Sequence, residues 1–401
     1  MSGSLECVQM LVREGANIHD VNRHAKTPLH FAVGERSVWA GEQRAEEDET
    51  ALLKYFIAAG VDVNVFSSSG TSPLWYAVQS DNLPAIRELL AASADIQLRN
   101  LYGETVLHEA AYHSCLAVVQ VLVQAGTDLH ARSKTNASVL HRAAEAGRVD
   151  TLQWILDHSR LTVNETGSHG WTPLHHAVFA GQATMAKFLL EHGADPTIGS
   201  SPGGHAALHY AARSERNETG EWKEDSTLVR YLVQYGADVN APADAGCCSS
   251  GGETGEYLHE WFFDAQPDEP PEELVYPIHC AASSGMPSRV EALLEAGADI
   301  QARTSIYGST PLHLAARTSG PEMVRFLLRN GADPEATDTA GCKMAHHLVF
   351  AMRRTPRKAM EFLVENQLWD ASTVEEDLEM IKVYEQMAKC LRTRNFTNIV
   401  G

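Results

Sequence analysis

A four-residue pattern, Thr-Pro-Leu-His, returns with variations along this 401-residue chain at a nearly fixed interval, and that interval constrains the fold more than any other feature. Aligning the leucine of the pattern gives Leu29, Leu74, Leu107, Leu140, Leu174, Leu208, Ile278, Leu312 and Ala345, at successive separations of 45, 33, 33, 34, 34, 70, 34 and 33. Six of the eight intervals are 33 or 34, and each exception carries an evident insertion. Such a period marks a repeat architecture. Each unit is too small to bury its own apolar face and does so against its neighbours.

One unit, "TPLHHAVFAGQATMAKFLLEHGADP" from Thr172 to Pro196, can be read physically. Thr172 suits a helix N-cap and Pro173 the first helical position, where a missing N–H costs nothing. Ala177 keeps one face of this helix small, as do the pairs Ala110-Ala111, Ala143-Ala144, Ala211-Ala212, Ala281-Ala282 and Ala315-Ala316, so that a neighbouring helix can approach closely. Met185, Phe188, Leu189 and Leu190 then form the apolar stripe of a second helix. Gly193 ends it in the left-handed region, and Gly15, Gly60, Gly126, Gly236, Gly297 and Gly331 recur at the same place. About a dozen polar and turn-forming residues follow before the next helix start, giving a turn-plus-two-helices unit.

With "TPLHFAV", "TPLHHAV" and "TPLHLAA" at helix starts and "GADVN", "GADP" and "GADI" at helix ends, the chain resembles the ankyrin-repeat family over roughly residues 5 to 370. The resemblance implies an all-α solenoid of about nine stacked helix-turn-helix units with β-turn fingers, plus an N-terminal half unit. It also implies a structural role for His30, His108, His141, His175, His209, His279, His313 and His346, the family's imidazoles that hydrogen-bond neighbouring turn backbone. His176 and His347 stand one position later, free to face a concave groove. Adjacent histidines on a helix point in different directions, so neither pair can hold one metal.

The organisation expected is a partial N-terminal repeat over 1–26 and six repeats over 27–240, with insertions at 34–50 and 213–226. A long finger insertion over 241–274 is followed by two more repeats over 275–341. An atypical capping repeat over 342–370 and a helical tail over 371–401, with helical periodicity from 373 to 393, complete the chain. The acidic run within 34–50 reads as a solvated loop. Within the finger, Tyr257, Leu258, Trp261, Phe262 and Phe263 are expensive to leave in water, at roughly 25 cal/mol per Å². That cluster is expected to fold onto the array or clamp a partner. Cys247-Cys248 lack any accompanying zinc spacing. Units departing from the motif at Trp75, Ser138, Ala206 and Tyr276 are expected to be locally weaker, and Lys343, Ala345 and Asn366 mark the capping unit.

Formal net charge of −20, from 32 Lys plus Arg against 52 Asp plus Glu, repels phosphate backbones and anionic lipid. The partner expected is therefore a protein of neutral or basic character, with no nucleic acid and no membrane. Seven cysteines with no pairing pattern, no export signal and no apolar run of 18 residues lead us to expect a cytosolic or nuclear protein.

By the resemblance, the groove and finger tips form the binding surface. The residues expected to face it follow the motif histidine or lie one turn later: Phe31, Tyr76, Glu109, Tyr112, Arg142, Glu145, His176, Phe179, Tyr210, Arg213, Arg317 and His347. Aromatic and Arg side chains suit interface anchors. The leading expectation is a non-enzymatic protein–protein interaction scaffold with no cofactor, metal or catalytic residue. A second is an enzyme or metal-dependent protein with groove chemistry near Glu145, His176, His209 and Tyr210. No P-loop, HExxH, GxSxG or dinucleotide fingerprint in its proper context supports it. A third, motivated by the half unit at the start, is the targeting arm of a larger polypeptide.

Overall fold

In the computed structural model of the chain, Pro28, Pro73, Pro173 and Pro311 each open a helix, the position their fixed φ and missing N–H favour. The described residues are 5–34, 46–201, 203–213, 225–244, 273–351, 362, 363, 365, 366 and 368. They fall into two compact units, Met1–Asp195 and Pro196–Gly401.

In the first unit the helices that begin at the motif are α2 (Pro28–Gly34), α4 (Pro73–Gln79), α6 (Val106–His113), α8 (Val139–Glu145) and α10 (Pro173–Phe179). Each packs on the next, forming an inner layer. The outer layer is α1 (Leu5–Arg13), α3 (Glu46–Ala58), α5 (Leu83–Ala91), α7 (Leu116–Gln124), α9 (Val149–His158) and α11 (Ala183–Glu191). The motif leucines Leu29, Leu74, Leu107, Leu140 and Leu174 are fully buried between the layers, where losing one to alanine costs about 2–5 kcal/mol. Ala110, Ala111, Ala143, Ala144 and Ala177 are equally inaccessible, which is the close approach their small side chains permit.

The second unit repeats the scheme with inner helices α12 (Ala207–Ala212), α14 (Pro277–Ser284), α16 (Pro311–Thr318) and α18 (Met344–Ala351). Its outer helices are α13 (Thr227–Gln234), α15 (Pro287–Glu295) and α17 (Pro321–Arg329). A two-stranded antiparallel ladder joins β1 (Ala243–Asp244) to β2 (Leu274–Val275), with Ala243 opposite Val275 and Asp244 opposite Leu274. Arg289 of α15 is buried and stitches this unit by donating to the carbonyls of Ala211, Arg213 and Asp225.

The turns obey one rule. Asp62, Asp95, Asp128, Asp238, Asp299 and Asp333 each accept from the backbone N–H two residues on, which fixes the turns after α3, α5, α7, α13, α15 and α17. Asn64, Asn164 and Asn240 then accept from the N–H of Asp95, Asp195 and Asp299 in the following turn, so the Asn of "DVN" or "TVN" ties one finger to the next. The helix-ending glycines have φ from 81° to 98°; in the third turn Ser93 takes that place at φ 63° and carries the steric cost of a Cβ there.

Two expectations need correction. Helix α3 begins at Glu46, so residues 46–50, read as part of a solvated insertion, are helical. The buried stripe of Leu52, Leu53 and Phe56 anchors this helix, and helix growth from such an anchor is cooperative. The unit lacking a Thr-Pro start is not missing its cap chemistry either, because Ser138 supplies the same hydroxyl, 2.8 Å from His141 Nδ1. The aromatic cluster from Tyr257 to Phe263, Cys247-Cys248 and the helix expected over 373–393 lie outside the described residues, as do residues 35–45 and 214–224 of the two insertions.

Candidate functional site

Motif imidazoles in both units hydrogen-bond to backbone. In His30, His108, His141, His175 and His313, Nδ1 lies 3.0–3.2 Å from the N–H of the cap residue and 2.8–3.0 Å from its hydroxyl. An amide N–H can only donate, so Nδ1 is the acceptor and the proton resides on Nε2. That Nε2–H reaches the carbonyl just before the next cap: Thr71 from His30, Ala137 from His108, Trp171 from His141, Ser309 from His279 and Cys342 from His313. His209 bonds Ala241 instead, in the turn after α13, as His279 also bonds Ala302. Burial holds His30, His108 and His141 below the ordinary imidazole value, His141 far below it, and moves His313 to about 4. A neutral ring committed at both nitrogens holds repeats in register and has no lone pair for chemistry.

The next position along each inner helix carries the residues expected to form the binding surface. In the first unit they make a connected row. Phe31 is 39% exposed, and Lys26 Nζ sits 5.8 Å from its ring centre and 4.5 Å from that of Tyr76. Burial of the Tyr76 hydroxyl would raise its pKa, but hydrogen bonds with Thr71, Ser67 and Ser69 bring it below the ordinary phenol value.

On α6, Glu109 is only 7% exposed, with His113 Nε2 at 3.4 Å and the Trp75 side chain as a hydrogen-bond partner. Desolvation raises its carboxyl to about 7, against the pull of Arg142 and with the help of Glu104. Arg142 of α8 lies over the Tyr112 ring at 4.3 Å, with Glu104 at 3.2 Å and Glu145 at 2.7 Å. Burial would raise Glu145, but the His176 imidazole and the Arg142 charge hold it below its ordinary value. His176 is 3.6 Å from Glu145 and edge-on to Trp171, which also meets Phe179 at 5.6 Å. Phe179 closes the row, 36% exposed.

The second unit treats the same positions differently. Tyr210 is buried against the His205 ring, with Ser200 Oγ 3.5 Å from its hydroxyl. His347 is 2% exposed and its Nε2 is 2.9 Å from Asp338 Oδ2, a carboxylate that also accepts from the N–H groups of Ala340 and Cys342. Neither side chain offers the open surface expected of it, because a finger residue folds over it. Arg317 is exposed and Arg213 half-buried just past the end of α12. Of the residues considered for groove chemistry, Glu145 and His176 meet in the first unit, whereas His209 and Tyr210 are buried in the second. Among the described residues no three His, Cys, Asp or Glu side chains are arranged to hold a metal ion.

Four residues of the row were not anticipated: Lys26, Glu104, Trp171 and Trp75. A signal for the first three was present, since each directly precedes a helix cap, the position whose carbonyl receives the preceding imidazole. That register sets the side chain beside the inner helices, as with Glu104 on Arg142 and Trp171 on His176.

The sequence pattern described as "Ankyrin repeats (3 copies)" matches residues 43–133, 140–243 and 246–338. Protein phosphatase 1 regulatory subunit 27 is 41% identical in human over 73 residues, 18% of this chain and 40% of that protein; the mouse protein is 39% identical over the same length. An ankyrin repeat protein of fowlpox virus is 31% identical over 77 residues, 19% of this chain and 35% of the relative. The chain thus matches less than half the length of these curated relatives. Among solved structures, the ankyrin repeat domain of Bcl-3 aligns with a TM-score of 0.44 at 25% identity, covering 65% of this chain and 99% of that one. The human ASB11 ankyrin repeat domain aligns with 0.48 at 22%, covering 64% and 96%.

Proposed function

This chain belongs to the ankyrin-repeat family, and from that premise we propose that it is a non-enzymatic scaffold binding a partner protein on the inner-helix face of its first unit. Ankyrin repeats serve as protein–protein interaction modules, and one relative is by name a regulatory subunit of a protein phosphatase. The observation that carries the reading is the row itself: Phe31, Tyr76, Tyr112, Arg142, His176 and Phe179 lie half-buried or exposed on successive helices that the imidazole bonds hold in register.

Side chains held this way are ordered before the partner arrives. A smaller ordering penalty then opposes binding. Aromatic rings and a guanidinium are the groups that most often anchor such interfaces. The surface needs no cofactor, and we place the protein in the cytosol or nucleus.

The test is affinity purification with mass spectrometry, comparing the full chain with a Phe31→Ala, Tyr112→Ala, Phe179→Ala variant. The expected result is a recurring protein companion that the variant no longer captures while its thermal unfolding is little changed. A companion retained undiminished by the variant removes this face from the reading.

A further inference from the structure

We infer that the first-unit face selects a basic segment of its partner, seating one lysine or arginine side chain beside the Glu109 carboxyl, with apolar neighbours of that residue against Phe31 and Phe179. This rests on the reading that the face binds a protein, and it adds which chemistry the face selects.

The charges in the row do not balance. Glu104, Glu109 and Glu145 supply three carboxyls, and Arg142 is the cation between them. Arg142 has its two ion pairs on Glu104 and Glu145 and its flat face on Tyr112. Arg148, the next cation along, donates to the carbonyls of Tyr112 and His113, and Lys26 sits at the far end of the row over Tyr76. Glu109 is therefore a carboxyl withdrawn from water for which the described residues hold no Lys or Arg ion-pair partner; only His113, which is held below its ordinary value by burial and by Arg142 and Arg148, comes within range. Burying such a group without a fixed counter-charge is costly, and a cation arriving from outside removes that cost.

The flanks of the site show the rest of the segment's chemistry. Phe31 and Phe179 leave more than a third of their surface open at the two ends of the row, and Tyr112 shows that a guanidinium stacks well on this face. A basic residue with apolar neighbours matches that order of aromatic, acidic and aromatic surface. The chain's overall excess of carboxylates favours approach of the same partner.

Seating the cation also moves a proton. Glu109, facing Glu104, Arg142, Tyr112 and His113, holds its proton up to about pH 7 in the free protein. When the ammonium or guanidinium arrives, the carboxyl ionises and that proton passes to solvent.

The test uses the full chain and two fluorescent 12-residue peptide libraries. Their flanks are drawn from Leu, Phe, Met and Ser, and the central residue is arginine in one library and its neutral isostere citrulline in the other. Anisotropy titrations are expected to show the arginine library binding about tenfold more tightly, the scale of one desolvated ion pair. That preference should collapse in Glu109→Gln, which keeps the shape and removes the charge. Calorimetry in buffers of different ionisation enthalpy should show proton release on binding the arginine library near neutral pH, and none in Glu109→Gln.

Equal affinity for both libraries, or no binding of either, overturns the inference. If both bind equally and Phe31→Ala, Phe179→Ala abolishes both, the face still binds a protein segment but does not select charge. If neither library binds and the captured companion is unaffected by the aromatic substitutions, the reading of the face fails as well.

Discussion

The two units use one motif to opposite ends at the position after the motif histidine. In the first, Phe31, Tyr76, Arg142 and His176 stay exposed or half-buried around the buried Glu109; in the second, Tyr210, Cys280, Leu314 and His347 at the same step are all buried. Both units stack the same helix pairs, although Ala206, Tyr276 and Lys343 stand where the first unit has hydroxyl caps; at Tyr210 and His347 the difference lies in what the fingers place above them. Asp338 reaches down to His347, and Ser200 and His205 close over Tyr210. At the finger position of Asp338, the first unit has Asn100, whose side-chain amide is held by Glu104 at 3.0 Å rather than by an inner helix. A repeat motif therefore fixes where a side chain starts, and the finger decides whether it stays open.

The largest effect expected from a single substitution lies in the register bonds rather than the row. His141→Ala strands the Ser138 N–H in a dry interior, leaves the Trp171 carbonyl with only the Gly167 N–H, and opens a cavity, which should cost about 5 kcal/mol in denaturant unfolding. His176→Ala, one residue along the motif in the next repeat, should cost less than about 1 kcal/mol, as for other partly exposed side chains. Equal losses would erase the division between lock and surface.

The second test separates the units. Asp338→Ala removes the partner of a buried imidazole and should destabilise the protein by about 4 kcal/mol, whereas Glu145→Ala, at a half-open ion pair, should cost about 1 kcal/mol. Chemical denaturation of both variants distinguishes them, and a small effect at Asp338 would mean that the second unit's closed face is not held by this pair.

Acid and base act on the two features in opposite directions. Glu109 has its folded-state pKa raised from 4.5 to about 7, so the native state keeps a proton that the unfolded chain loses. Stability falls as pH rises across that window, by at most about 3 kcal/mol. Glu109→Gln should therefore be more stable than the parent at pH 8, with the gain gone by pH 4.5. His30, His108, His141 and His313 have folded values below 6.5, so at these rings the unfolded chain binds protons first and stability falls as pH drops below 6.5, toward about 4 for His313. Melting curves from pH 4.5 to 8 resolve both trends; a Glu109→Gln gain that does not change with pH would show that this carboxyl is not strained by burial.

The smallest expected effect concerns the turns. Ser93 occupies the left-handed position that glycine fills at 15, 60, 126, 193, 236, 297 and 331, and Ser93→Gly should stabilise the protein by about 1 kcal/mol. A loss instead would mean that the serine is held by more than its backbone.

Much of this architecture was legible in the sequence because repetition amplifies weak signals. Pro173 or Gly193 alone says little, whereas the same residues every 33 or 34 positions specify a helix start and a helix end. The histidines were legible for the same reason. Burial of Tyr210 and His347 was not, since it depends on Ser200, His205 and Asp338, residues in a finger that motif spacing does not address. Glu104 and Trp171 were not legible because the residue preceding each cap lies outside the helical periodicity and reads as linker. The start of α3 was missed because acidic composition read as solvent-facing loop, although Leu52, Leu53 and Phe56 extend the apolar pattern toward it.

The β1–β2 ladder has an engineering consequence. Because Ala243 faces Val275 and Asp244 faces Leu274, residues 244 and 274 are held side by side, so the ladder works as a port through which sequence can be exchanged. Closure entropy grows only logarithmically with length, about 0.6 kcal/mol per doubling, so segments of very different size can be spliced between Asp244 and Leu274 while the flanking helices keep their alignment.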